Sequence, residues 1–176
     1  SINFYIQNDY KTFNIPKIKK DFFNLLRSNQ KLSSIVGYIG TWEYCKKYGY
    51  FFRVIFFVPR KKIDEPKELL DALIHLWETL DLSNNPERNT LNFNAEPSNI
   101  SESLEILKSP YCVIGKKNQA LISAFIESAI NYTVLAEKYF FPAELQIFIF
   151  EHMSENMKKQ NPNGTYIIDQ LNKRLS

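Results

Sequence analysis

Nine consecutive residues, Tyr50-Phe51-Phe52-Arg53-Val54-Ile55-Phe56-Phe57-Val58, hold one charged side chain, Arg53, and Pro59 follows them. A run this short, this aromatic and this rich in β-branched residues predicts a strand. Its side chains are apolar on both faces except at Arg53, so the strand belongs in the middle of a sheet covered on at least one side. The run at 35–44, IVGYIGTWEY, is a second strand signal. Between the two lies Cys45-Lys46-Lys47-Tyr48-Gly49, a tight connection in which Gly49 can take positive φ. Together they predict a β-hairpin, and any fold for this chain is built around it.

The flanking elements follow from period and punctuation. Residues 2–6 read as a short strand. Asn14 and Pro16 open a helix over about 17–28, with Phe22, Phe23, Leu25 and Leu26 on its apolar face. Leu69, Leu70, Leu73, Ile74, Trp77 and Leu80 recur at threes and fours behind Pro66, predicting an amphipathic helix over 66–80. Strands are expected at 90–94, 110–114 and 145–150, a short helix after Ser101 and a long one over 118–138. Asn161-Pro162-Asn163-Gly164 breaks the tail before a last short helix. The order is β-α-β-β-α-β with a late strand. That predicts an α+β fold, a mainly antiparallel sheet with helices packed on it, close to the RRM-like or ferredoxin-like βαββαβ topologies. The expected division is one α+β domain over 1–150 and a helical tail over 151–176.

Composition removes several classes of function. With 176 residues, 44% hydrophobic and 23% charged, the chain can fill one packed core. Five glycines and no G-x-G-x-x-G or G-x-x-x-x-G-K-[ST] exclude the simple nucleotide loops. Two cysteines and two histidines, His75 and His152, make neither a disulfide framework nor a zinc cluster. No apolar run reaches transmembrane length and no signal pattern opens the chain, so a cytoplasmic protein that does not enter a membrane is the expectation.

The net charge of +3 hides a strong asymmetry. Residues 1–62 carry twelve Lys and Arg against three acids, a balance of +9; residues 63–107 carry two bases against ten acids, a balance of −8. Cations interleaved with Tyr and Phe suit nucleic acid, because they neutralise phosphates while rings stack on bases. The candidate contacts are Lys17, Lys19, Lys20 and Arg27 on the first helix, and Lys46, Lys47, Arg60, Lys61 and Lys62 at the two ends of the central strand. An ordinary solvated surface is the plain alternative for each.

The hairpin segment GYIGTWEYCKKYGYFFRVIFF resembles that of the replication-initiator family of filamentous phages, which recurs in prophages as the YagK/YfjJ C-terminal-domain family. Gly37, Tyr38, Trp42, Glu43, Tyr44, Lys47, Gly49 and Tyr50 carry the likeness, although Tyr48 intervenes before Gly49. Weaker matches are Leu76-Trp77-Glu78, Leu91-Asn92-Phe93-Asn94 and Ala129-Ile130-Asn131-Tyr132. The resemblance implies an HUH-endonuclease-like domain over about 2–150. In that family two histidines on one strand and a third ligand hold a divalent cation that polarises a phosphate, and a helix tyrosine attacks it. Here the two histidine positions fall at Phe51 and Arg53. Phe offers no lone pair and Arg stays protonated, so with Glu43 they form a degenerate metal site.

The resemblance therefore implies a domain that binds nucleic acid, single- or double-stranded DNA, without metal-dependent nicking. No metal and no cofactor are expected, and an enzyme is the less favoured reading. Tyr132, at the nucleophile's place, is the one weak catalytic candidate. Arg53 either holds a phosphate directly or pairs with Glu43 across the hairpin, and the pairing is favoured. The rival reading is a protein-interaction module on a retained scaffold, binding a phage or host factor; a homodimer stays open.

Overall fold

The computed structural model describes residues 1–7, 15–45, 49–60, 65–80, 92–102, 104–130 and 149–150. The strand predicted from the apolar run is β3, Gly49–Phe57, and it lies in the interior of the sheet. Around it are β1 (Ile2–Gln7), β2 (Gly37–Cys45), β4 (Asn92–Pro97) and the two-residue β5 (Ile149–Phe150). The order across the sheet is β4-β1-β3-β2-β5, and every neighbouring pair is antiparallel. The architecture is α+β.

Two helices cover one face. α1 (Ile15–Ser28) turns Ile18, Phe22, Phe23 and Leu26 inward; α2 (Pro66–Glu78) turns Leu70, Leu73 and Trp77 inward. They meet Ile2, Phe4, Ile6, Tyr38, Phe52 and Val54, the alternate residues of β1, β2 and β3. Trp77 sits at the centre. Its ring lies 4.9 Å from Phe4, 5.0 Å from Phe22 and 5.3 Å from Phe93, and its indole N–H donates to the Tyr5 carbonyl at 3.2 Å. Gly40 is needed here because Phe52 leans over it. A Cβ at residue 40 would lie 2.8 Å from the Phe52 Cζ and 2.9 Å from the Arg53 carbonyl oxygen.

Among the described residues, an apolar cluster covers one end of the other face. Ile39 and Ile55 pack there with Ile100 and Leu107, and with Leu121, Ile122, Phe125, Ile126 and Ala129. The last five come from α3 (Gln119–Phe125) and a π-helical turn over Ile126–Ile130. Asn118 caps α3 through its side chain, which accepts from the Leu121 N–H at 3.0 Å.

Four expectations change. The strand expected at 90–94 runs Asn92–Pro97. It is an edge strand, so Pro97 costs no ladder bond and closes it. The short helix expected after Ser101 is a 3₁₀ turn at Glu105–Leu107. Residues 110–114 form no strand among the described residues. The helix expected over 118–138 is α-helical over Gln119–Phe125 and widens into the π turn over Ile126–Ile130; its remainder, 131–138, lies outside the described residues. Residues 131–148 and the tail 151–176 lie outside the described residues, as do the hairpin tip at 46–48 and residues 61–64.

Candidate functional site

Register decides where the hairpin's side chains meet. Glu43 is paired with Phe51, Thr41 with Arg53, Tyr5 with Phe51 and Asn3 with Arg53. Cross-strand partners share a face, and residues two apart on a strand share it too. Glu43, Phe51 and Arg53 therefore converge on one face, beside Asn3 and Tyr5 and opposite α1 and α2.

The Arg53 guanidinium fills the middle of this group. Its Nη1 lies 3.5 Å from the Glu43 Oε1, and the two side chains are 20% and 17% exposed. Its Nη2 donates to the carbonyls of Asn99 at 2.6 Å and Ile100 at 2.8 Å. Arg53 thus holds the segment leaving β4 against the sheet. Burial pushes the Glu43 carboxyl above its usual range, and the nearby guanidinium only partly opposes that. Glu43 Oε1, Arg53 Nε and Asn3 Oδ1 have no hydrogen-bond partner among the described residues. Next to them Asn3 Nδ2 donates to the Tyr5 hydroxyl at 3.1 Å, and that hydroxyl donates to Glu96 Oε1 at 2.5 Å. The Tyr5 and Phe51 rings pack at 5.2 Å.

As a metal centre this group does not fit. Phe51 has no donor atom, Arg53 is a cation, and Glu43 already faces it. No group of three or more His, Cys, Asp or Glu side chains among the described residues could hold a metal ion. What the arrangement does offer is a fixed positive charge, its two Nη atoms engaged by one carboxylate and two carbonyls.

The basic candidates lie elsewhere. Lys17, Lys20 and Arg27 are exposed on α1 and Lys19 is half-buried there. Arg27 folds back on its own helix, donating to the Phe23 carbonyl and the Asn24 side chain, each at 3.2 Å. Because α1 covers the opposite face, this stripe and the Glu43–Arg53 pair are on different sides of the sheet. Arg60 is exposed beyond the end of β3. Lys46 and Lys47, at the hairpin tip, lie outside the described residues. Lys61, Lys62 and Tyr132 also lie outside the described residues. His75 is exposed on α2. Cys112 is half-buried against the α3 cluster, and burial raises its thiol pKa.

Sequence reasoning missed the carbonyl partners of Arg53. Asn99 and Ile100 are 46 and 47 residues away, and no local pattern links them to it. Fold and site define an α+β domain with a half-buried ion pair on the second face of its sheet. The chain matches no protein-family model, and no curated protein or solved structure matches it. No helix among the described residues is long and apolar enough to cross a membrane.

Proposed function

We propose that this chain is a replication-initiator-like domain of a prophage or related mobile element. In this reading it has lost its metal site and binds nucleic acid without metal-dependent nicking, in the control of replication or transcription. The observation that carries the reading is the meeting of Glu43, Phe51 and Arg53 on one sheet face, with a guanidinium beside the carboxylate where the family would hold its cation. The topology supports it as well. An order β1-α1-β2-β3-α2-β4 along the chain with β4-β1-β3-β2 across the sheet is what we read as the HUH/RRM-like, ferredoxin-like βαββαβ arrangement. In this reading Arg53 substitutes structurally for the ion. It neutralises Glu43 and ties down the 99–100 segment, and it lacks the Lewis acidity that phosphoryl chemistry needs. Phosphate contacts then fall to the exposed side of α1.

Gel shifts with single- and double-stranded DNA across a salt series test this. The expected result is a shift at low salt that fades as salt rises. Replacing Lys17, Lys19 and Lys20 with Glu should flatten the salt slope by roughly three, one for each phosphate contact. Absence of binding at low salt, or an unchanged slope in the triple variant, overturns the reading.

A further inference from the structure

Residues 110–114 have the side-chain period of a strand without its ladder. Cys112 and Ile114 pack half-buried against the α3 cluster, while Tyr111 is 52% exposed and Val113 61% exposed. Alternation of this kind is the mark of an extended chain lying on a core. Its backbone bonds stop at either end. Tyr111 N–H donates to the Ser109 hydroxyl at 3.4 Å, and the Gly115 carbonyl accepts from the Asn118 N–H at 2.9 Å. Between them the amides and carbonyls of Cys112, Val113 and Ile114 have no partner among the described residues. Natural edges are guarded by charges pointing outward from the strand itself. Here the outward positions are Tyr and Val. The charges stand just beyond, at Lys108, Lys116 and Lys117, and no acid occurs from 106 to 126.

We propose that this segment is an edge that accepts an acidic extended peptide from a partner protein as an added strand. The ladder forms on residues 112–114, Tyr111 and Val113 pack against alternate side chains of the peptide, and Lys116 and Lys117 face its carboxylates. A second copy of this chain is disfavoured by its own charge. Antiparallel self-pairing centred on Val113 sets Lys116 against Pro110 and Lys117 against Ser109 of the other copy, so neither lysine meets a carboxylate there. Single-stranded nucleic acid has phosphates for the lysines but cannot form an amide ladder. The inference stands on this edge alone and is independent of the reading of the Glu43–Arg53 face.

Amide hydrogen exchange of the full chain, read over 110–117, tests it. The probe is an octapeptide of alternating glutamate and valine at millimolar concentration. Its controls are a lysine–valine counterpart, a version N-methylated at alternate amides, and oligothymidylate. The acidic peptide should slow exchange at 112–114 by about tenfold, and Lys116→Glu with Lys117→Glu should weaken its binding by about tenfold. Both lysines are exposed in a turn, so the variant keeps its fold. No protection by the acidic peptide overturns the proposal. So does equal protection by the lysine or N-methylated peptide, or protection by oligothymidylate alone.

Discussion

Arg53→Met is the substitution that most directly tests the half-buried pair. Methionine keeps most of the stem's packing and removes the guanidinium. Two carbonyls, of Asn99 and Ile100, then lose a charged donor at 2.6 and 2.8 Å. Hydrogen bonds from a charged group contribute about 1.5–3 kcal/mol each when buried. Glu43 also loses its cation, and an uncompensated buried charge costs about 3–5 kcal/mol. Both figures must be reduced, because the side chains are 20% and 17% exposed and water reaches part of the site. The net expectation is a loss of about 3 kcal/mol. In urea, with a slope of about 2 kcal/mol/M for a domain of this size, the midpoint falls by about 1.5 M. Arg53→Met combined with Glu43→Leu should recover about 1–2 kcal/mol, because the orphaned carboxylate is gone. Acid should narrow the deficit. Glu43 already has a raised pKa in the fold, so the stability it contributes is present in acid and is lost as pH rises through that pKa. Removing the cation raises the pKa further, so the deficit of Arg53→Met grows with pH. A loss under about 1 kcal/mol, or a double variant no better than the single, would refute the view that Arg53 holds this face together.

Glu43→Gln should remove part of the pH dependence of unfolding between the ordinary glutamate range and neutrality, with wild type gaining on the variant as pH falls; denaturant melts at several pH values check it. Gly40→Ala forces a methyl to 2.8 Å from the buried Phe52 ring and 2.9 Å from a backbone oxygen, and should cost about 1–3 kcal/mol by urea titration. Trp77→Phe empties part of the first core and removes the indole donor to the Tyr5 carbonyl, with an expected loss of about 2 kcal/mol in the same assay. For Tyr132, incubation with single-stranded DNA and manganese should give no covalent protein–DNA band on a denaturing gel. A band abolished by Tyr132→Phe would make the domain an enzyme.

The hairpin was legible because nine residues with one charge leave a strand no exposed face, and β3 does lie between β1 and β2. α2 was legible because Pro66 marks its first turn and its leucines keep helical spacing. Residues 110–114 misled for a physical reason. The preference of Tyr, Val and Ile for strands measures fit to a half-buried extended surface, and that surface exists here without a paired neighbour. The end expected for β4, at 94, falls three residues before Pro97 because Glu96 and Pro97 look like loop. Glu96 instead accepts from the Tyr5 hydroxyl on the neighbouring strand. The pairing of Glu43 with Arg53 was readable from strand period alone. The grip of Arg53 on residues 99–100 was not, since it depends on where the chain returns after β4.

That return explains why a charge sits inside the sheet at all. On the second face the pair Thr41–Arg53 borders the pair Ile39–Ile55, so polar and apolar halves meet along one line. Ile100 and Leu107, from the segment after β4, pack with Ile55 there and close the apolar half. The segment must carry its carbonyls over the sheet to do so, and those of Asn99 and Ile100 come within reach of Arg53. A long cationic side chain rooted one step inside the polar half reaches them through Nη2 while its Nη1 faces Glu43. Lysine at residue 53 would keep the charge. It cannot hold three acceptors in the fixed directions of a guanidinium, so Arg53→Lys should recover only part of the stability lost in Arg53→Met. Equal stability of Arg53→Lys and wild type in urea would show that charge alone suffices and that the fork geometry contributes nothing.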